Sequence, residues 1–284
     1  MAQDNLFKVK STLNIGGKLV ELGTPKVMGI LNVTPDSFYA GSRMNGKDET
    51  FKKVEKMVAQ GVNIIDIGGY STRPGADHIS MEQELNRVLP VIEHVVDHFP
   101  NAIISIDTFR SEVAERAVST GASIINDVSG GNLDNAMFRT VAKLGVPYIL
   151  MHMRGTPQTM KGLNTYDQLL VDMTKELSIK KQQLLSLGVT DIIIDPGFGF
   201  AKNIAQNYEI LRNLDYFQRL KLPILAGVSR KSMIYKTLNT TPDDALNGTT
   251  ALNMAALING ASILRVHDVK EAVEAVKLFQ AYIG

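Results

Sequence analysis

The sequence predicts an α/β protein, a (β/α)8 TIM barrel preceded by an N-terminal β-hairpin. Three observations carry this expectation. Eight short apolar runs recur along the chain, a helical pattern follows each, and nearly every run ends in a polar or glycine-rich segment. The runs are 27–33, 64–67, 103–107, 124–127, 148–152, 192–195, 224–227 and 263–266. They are rich in β-branched residues and barely alternate, as strands buried on both faces of a parallel sheet do. Helical patterns cover 50–60, 81–98, 111–119, 134–144, 166–187, 205–220, 245–259 and 270–281. Eight strands, each followed by a helix, fit a closed barrel.

At the start of the chain, segments 7–12 and 18–22 flank Asn14-Ile15-Gly16-Gly17, a hairpin-like turn. This hairpin, within residues 1–24, is expected to close the bottom of the barrel. No interdomain linker, low-complexity tract or repeat interrupts the pattern, so residues 1–284 are expected to form a single domain. A doubly wound open sheet has the same alternation. The polar strand ends favour the barrel: Asn32, Asp66, Asp107, Asn126, His152, Asp195, Ser229, Arg265 and His267 would meet in one mouth there, whereas an open sheet would spread them along an edge.

Composition excludes several classes of function. The chain has no cysteine, which removes disulfide frameworks, thiolate nucleophiles and Cys-based metal centres. Residues 1–10 carry no basic segment leading into an apolar one, and no apolar run is long enough to span a membrane. A cytoplasmic protein is expected. The net charge of +1 gives no field to gather nucleic acid or an anionic membrane, so an anionic ligand needs a local cluster of cations.

Asp107, Asn126 and Asp195 close the third, fourth and sixth runs. A carboxylate beside a buried strand is costly unless it is hydrogen-bonded. Two acids and an amide suit a flat heterocycle with adjacent N–H and amino donors, although helix capping would use the same residues. Ser229-Arg230-Lys231-Ser232 and Arg265-Val266-His267-Asp268 follow the seventh and eighth runs, the usual phosphate corner of such barrels. With Gly227 and a helix N-terminus nearby, they form a candidate diphosphate pocket. Asn32–Phe38 and Gly68–Gly75 read equally as functional loops or as ordinary turns. His94 and His98 are four apart on a helix, but no third metal ligand accompanies them, so they read as solvated histidines. The stretch 248–261, crowded with Ala, Thr and Asn, suits close helix packing, with a second subunit as one partner; a homodimer is expected.

Together these segments resemble the dihydropteroate synthase family. The motifs are Met28-Gly29-Ile30-Leu31-Asn32-Val33-Thr34-Pro35-Asp36-Ser37-Phe38, Ser71-Thr72-Arg73-Pro74-Gly75, Ile106-Asp107-Thr108, Asn126-Asp127, Met151-His152-Met153, Asp195-Pro196-Gly197-Phe198-Gly199-Phe200, Ser229-Arg230-Lys231-Ser232 and Arg265-Val266-His267-Asp268. They stand in the family's order and span almost the whole chain.

The resemblance implies a transferase that joins a pterin diphosphate to p-aminobenzoate in folate synthesis. It implies that Asp107, Asn126, Asp195 and Lys231 hold the pterin, beside Met151 and Gly227. Asn32, Thr72, Arg73, Arg265 and His267 would engage the diphosphate, with Mg²⁺ bridging Asn32 and the phosphate oxygens. Phe38, Arg73, Pro74, Phe200, Lys231 and Ser232 would shape the p-aminobenzoate pocket, where sulfonamides compete. Asp107, Lys231, Arg265 and His267 are the implied catalytic set. The family usually has an acid where this chain has Tyr70, which removes any hydrogen bond that acid makes.

An arylamine is neutral at pH 7, so the expected chemistry is a dissociative, SN1-like loss of diphosphate with the developing charges stabilised. A pterin-dependent methyltransferase would share the Asp and Asn ligands but would not need the cation clamp. A non-catalytic pterin-binding protein would not need Arg73, Lys231, Arg265 and His267 together.

Overall fold

A computed structural model of the chain describes residues 9–33, 43–71, 78–156 and 158–284. Two short strands, β1 (Thr12–Ile15) and β2 (Lys18–Glu21), form an antiparallel hairpin. Eight parallel strands follow: β3 (Lys26–Asn32), β4 (Ile64–Gly68), β5 (Ile103–Asp107), β6 (Ile124–Asp127), β7 (Tyr148–Met151), β8 (Ile192–Asp195), β9 (Leu225–Ala226) and β10 (Ile263–Val266). Their order in the sheet is β8-β7-β6-β5-β4-β3-β10-β9. A parallel bridge between Ile194 and Ile224 brings the two ends together. The barrel is therefore nearly closed, with β9 as its shortest stave.

Helices α1 (Arg43–Ala59), α2 (Met81–His98), α3 (Ser111–Thr120), α4 (Met137–Leu144), α5 (Leu169–Ser186), α6 (Ile204–Arg212), α7 (Ser232–Tyr235), α8 (Leu246–Ile258) and α9 (Val269–Ile283) fill the connections. Local chemistry starts them where they start. Ser80 with Gln83, and Asn203 with Gln206, form reciprocal capping boxes at α2 and α6, each satisfying two backbone donors at a helix start. The outer faces of the strands pack against the helices in one large core, with Tyr148, Phe198 and Phe217 among its largest fully buried side chains.

Several boundaries differ from the sequence expectation, among them the start of α1 at Arg43 rather than 50 and of α4 at Met137 rather than 134. The first hairpin strand lies at Thr12–Ile15 rather than 7–12, and Gly16 and Gly17 alone make the turn, at φ of 57° and 82°. Consecutive positive φ values match the twist of a two-residue hairpin, and this register sends Leu13 and Ile15 inward. The helix expected over 205–220 stops at Asn213, whose side chain donates to the Glu209 carbonyl at 2.8 Å. That local bond competes with helix propagation, and the chain continues as a 3₁₀ segment, Leu214–Leu220. The turn of helix α7 went unpredicted because four residues hold too little periodicity to read.

The barrel floor is apolar. Met28, Ile64, Ile103, Ile124, Ile149, Ile193, Leu225 and Ile263 supply one side chain per strand, and Leu13, Ile15 and Leu22 cap them from below. As expected, the hairpin plugs the bottom.

Candidate active site

Strand side chains alternate between faces, so counting by twos from the floor gives the next inward residues. These are Ile30, Asp66, Ser105, Asn126, Met151, Asp195, Gly227 and Arg265. Above them, Asn32, Gly68 and Asp107 end β3, β4 and β5 in matched register. One period-two pattern therefore turns an apolar floor into a polar chamber facing the mouth.

Asp66 lies at the centre of this layer with 0 % of its surface exposed. Its Oδ2 accepts from Asn126 Nδ2 at 3.1 Å and from Arg265 Nε at 2.7 Å. Neither β6 nor β10 is next to β4, so these bonds cross the barrel. Arg265 Nη2 also donates to Asp107 Oδ2 at 2.5 Å. Asp66 Oδ1 and Ser105 Oγ, on residues paired across β4 and β5, are buried with no hydrogen-bond partner among the described residues. The floor of the chamber thus keeps spare hydrogen-bonding capacity.

Burial is the main perturber of these charges. It pushes the Asp107 carboxyl up to about 7, against the pull of Arg265 and helped by Asp66. Asp195 is also raised by burial, while Lys231 and the Gly197 N–H, 2.7 Å from its Oδ1, draw it back. Burial lowers Lys231 to about 8, with Asp195 opposing. The chamber is a set of poorly solvated acids balanced by two cations, an arrangement that favours an incoming ligand able to donate hydrogen bonds.

Lys231 bridges two parts of the site. Its Nζ donates to the Phe198 carbonyl and sits 5.2 Å from the centre of the Phe200 ring. A methyl group on Gly227 would lie 3.8 Å from that Nζ, so this glycine leaves the space beside the ammonium open. Ser232 opens α7 next to Lys231. Met151 joins Val128, Met153, Met160 and Ala201 in a small apolar cluster, with Phe200 packed against it.

The phosphate corner is only partly as expected. His267 is held by Ser229, whose Oγ lies 3.0 Å from His267 Nδ1 and accepts from its backbone N–H at 3.2 Å. Arg230 does not join the cation cluster. Its guanidinium grips Asp268 with two 2.9 Å bonds and donates to the carbonyls of Pro242 and Asp243. An Arg already saturated by a carboxylate and two carbonyls ties loops together; it is not a phosphate ligand. Asn32 is exposed at the end of β3. Phe38, Thr72, Arg73 and Pro74 lie outside the described residues.

Sequence reasoning gave no site role to three members of the framework. Asp66 looked like a strand-end residue, yet the period-two count from Ile64 identifies it as inward. Glu84, buried on α2, accepts from Thr108 Oγ1 at 2.7 Å and Arg110 Nη1 at 2.5 Å, bracing the segment after Asp107. Nothing in its helical pattern marks it. Tyr70 is an aromatic brace: its ring meets Phe109 edge-on at 5.0 Å, Arg110 lies 5.3 Å above it, and its hydroxyl is 3.2 Å from His78 Nδ1. Asp127 faces the other way from Asn126 and accepts from Tyr148 Oη, Ser129 N and Gly131 N.

Among the described residues, no three His, Asp or Glu side chains converge on a metal position. His94 and His98 instead stack on each other at 4.1 Å, and Phe51 covers His94 at 3.5 Å. Asn32 offers a single amide oxygen. That fits a hard cation such as Mg²⁺ arriving with a phosphate ligand and keeping several waters, rather than a resident all-protein cage. A cavity of about 410 Å³ lies by Asn132, Arg154, Glu176 and Lys180. It is beside the chamber, not in it; the acids and cations converge elsewhere, and chemistry is assigned by that convergence.

The inward layer of acids, an amide and Arg265, with Lys231 beside it, sits in a chain whose sequence places it in a known class. The family described as pterin binding enzyme matches residues 28–267, and the chain belongs to it. The dihydropteroate synthase of Escherichia coli (strain K12) is 42% identical over 270 residues, covering 94% of this chain and 95% of that one. A crystal structure of Yersinia pestis dihydropteroate synthase with a sulfonamide drug complex superimposes with a TM-score of 0.89 at 39% identity, covering 96% of this chain and 99% of the other. The Xanthomonas albilineans dihydropteroate synthase with 4-aminobenzoic acid gives 0.89 at 37% identity, covering 96% and 98%.

Proposed function

We propose that this chain is a dihydropteroate synthase, condensing 6-hydroxymethyl-7,8-dihydropterin diphosphate with p-aminobenzoate to give 7,8-dihydropteroate and diphosphate for folate synthesis. The observation that carries the reading is the cross-barrel layer of Asp66, Asn126, Asp195 and Arg265 beneath Asp107 and Lys231, in a chain whose full-length relatives carry that name. The test is diphosphate release by the purified protein. Release that requires both substrates together supports the activity; release from neither pairing removes it.

In this reading Asp107, Asn126 and Asp195 accept from and orient the pterin, with Lys231, Met151 and Gly227 around it. Arg265 and His267 face the departing diphosphate, and no described residue bonds to Arg265 Nη1. By the resemblance, Thr72 and Arg73 would belong to the same subsite. Phe200, Lys231 and Ser232 line the p-aminobenzoate pocket, which sulfonamides would share; by the resemblance Phe38, Arg73 and Pro74, outside the described residues, would belong to it. Asn32 would hold Mg²⁺, which when bound neutralises charge on the leaving group.

The site offers charge stabilisation rather than nucleophile activation: no cysteine is present, and His267 is tied to Ser229. Bond breaking first is the better fit. The C–O bond cleaves with its electron pair leaving on diphosphate, the pterin methylene becomes a ring-delocalised cation, and the amine nitrogen attacks and then loses a proton. Positional isotope exchange in the diphosphate, with a non-nucleophilic p-aminobenzoate analogue, reports cleavage without coupling. Normal turnover without exchange, and a rate rising steeply with amine basicity, would favour concerted displacement.

A cytoplasmic homodimer completes the proposal. No helix among the described residues is long and apolar enough to cross a membrane. The α8–α9 side exposes Ile258, Leu278 and Tyr282, apolar surface that a second copy would cover. Sedimentation at micromolar concentration tests it.

A further inference from the structure

The described polar groups that the proposed reaction does not use include one deeply buried cation, Lys202, with only 9 % of its surface exposed. Its Nζ lies 2.8 Å from the Phe200 carbonyl, 3.1 Å from that of Gly197, 3.3 Å from that of His152 and 3.2 Å from His152 Nδ1. Four acceptors surround a group with at most three protons, a setting that only an ammonium satisfies well. His152 Nδ1 accepts from it, which leaves the Nε2 proton to donate to Glu176 at 3.0 Å. The chain of contacts therefore has one self-consistent protonation pattern. Burial draws Lys202 down to about 7, while Asp195 holds it up.

The loop that Lys202 grips would not keep its shape by local preference. Gly197, Gly199 and Ala201 all have positive φ, at 71°, 81° and 51°, and Ala201 has no glycine freedom to excuse it. Two further bonds help: Asn207 Oδ1 accepts from Gly199 N at 2.7 Å and Tyr166 donates to the Ala201 carbonyl at 3.0 Å. Among the described residues, Lys202 is the side chain that joins both ends of the Gly197–Phe200 turn to the segment after β7. The output of that turn is the Phe198 carbonyl on Lys231 and the Phe200 ring beside it.

We infer that Lys202 is a positioning residue: its buried ammonium cross-links the loop after β8 to His152 and thereby sets the Phe198 carbonyl and Phe200 ring that shape the arylamine pocket around Lys231. The inference rests on the proposed p-aminobenzoate site. It makes a split that a general packing role does not: Asp107 and Asn126 of the pterin site sit on strands away from this loop, whereas the Phe200 ring belongs to it, so the arylamine subsite takes the larger effect although Asp195 and Lys231 also touch the loop.

The experiment is steady-state kinetics with both substrates varied, on wild type, Lys202→Met and Lys202→Cys. Methionine keeps the length and volume and removes the charge. The cysteine would be the only thiol in the chain, so it can be aminoethylated in the unfolded protein and refolded to restore an ammonium. Loss of charge-assisted hydrogen bonds should raise the KM for p-aminobenzoate about tenfold or more in Lys202→Met, with the KM for the pterin diphosphate changed less than about threefold. Aminoethylated Lys202→Cys should return to near the wild-type KM. An unchanged KM, a parallel rise for both substrates, or no recovery on aminoethylation overturns the role. If Lys202→Met does not fold, the same measurement is made with Ala201→Gly added to relieve the left-handed residue; failure of that protein to fold makes Lys202 a stability residue and also overturns the inference. A wild type that releases no diphosphate defeats the proposed function itself, whereas an active wild type with an unaffected variant defeats only the positioning role.

Discussion

Asp66 and the two arginines show how little residue type says without geometry. Arg230 follows β9 and Arg265 lies near the end of the neighbouring strand β10. Arg230 is saturated by Asp268 and two carbonyls, while Arg265 reaches across the barrel to Asp66 and Asp107. Removing one partner of a buried ion pair leaves the other charge uncompensated. Asp66→Asn keeps the volume but weakens the hold on Arg265 and can turn its amide toward Asn126 wrongly. Pterin affinity by calorimetry should fall about tenfold to a hundredfold. Unaltered affinity would leave Asp66 with no part in shaping the chamber.

At the level of elements, stability and chemistry separate to opposite ends of the barrel. Leu13, fully buried in the floor cluster, belongs to the hairpin plug. Leu13→Ala should lower unfolding stability by about 2–5 kcal/mol, with both KM values unchanged; an altered KM would mean that the plug transmits strain to the mouth. The loop after β8 should behave otherwise. A Cβ on Gly197 would sit 2.2 Å from the His152 carbonyl, and φ there is 71°, so Gly197→Ala must displace the backbone beside Asp195. Turnover should drop at least about tenfold, read by diphosphate release in protein still folded by circular dichroism.

For the molecule as a whole, buried titratable groups make stability pH-dependent. Burial and then Lys202 lower His152 from 6.5 to about 4. The unfolded chain therefore takes up a proton below 6.5 that the folded chain refuses until about 4. Stability contributed by neutral His152 is complete above 6.5 and is lost as the pH falls through that window, by about 3 kcal/mol. Asp107, raised to about 7, acts in the opposite sense over the same range. The useful readout is thus the difference between wild type and His152→Gln in urea unfolding. That difference should shrink from pH 7 to pH 4; a constant difference would mean that His152 is protonated in the native state or that its pKa is ordinary.

The sequence by itself determined the strand count, the hairpin, the strand ends where polar groups gather, and the family. Strand patterns are local: β-branched runs such as Ile192–Asp195 and turn pairs such as Gly16-Gly17 declare themselves within a few residues. Asp107, Asn126, Asp195, Lys231 and Arg265 were legible because each ends a run or follows one. Only the tertiary structure decided which polar groups meet. Asp66 and Arg265 are 199 positions apart, and Lys202 and His152 are 50 apart; closure of the sheet, not local preference, brings them within hydrogen-bond distance. The same closure assigns Arg230 to Asp268 and Glu84 to Arg110, because a buried charge takes whichever partner the packed elements place beside it.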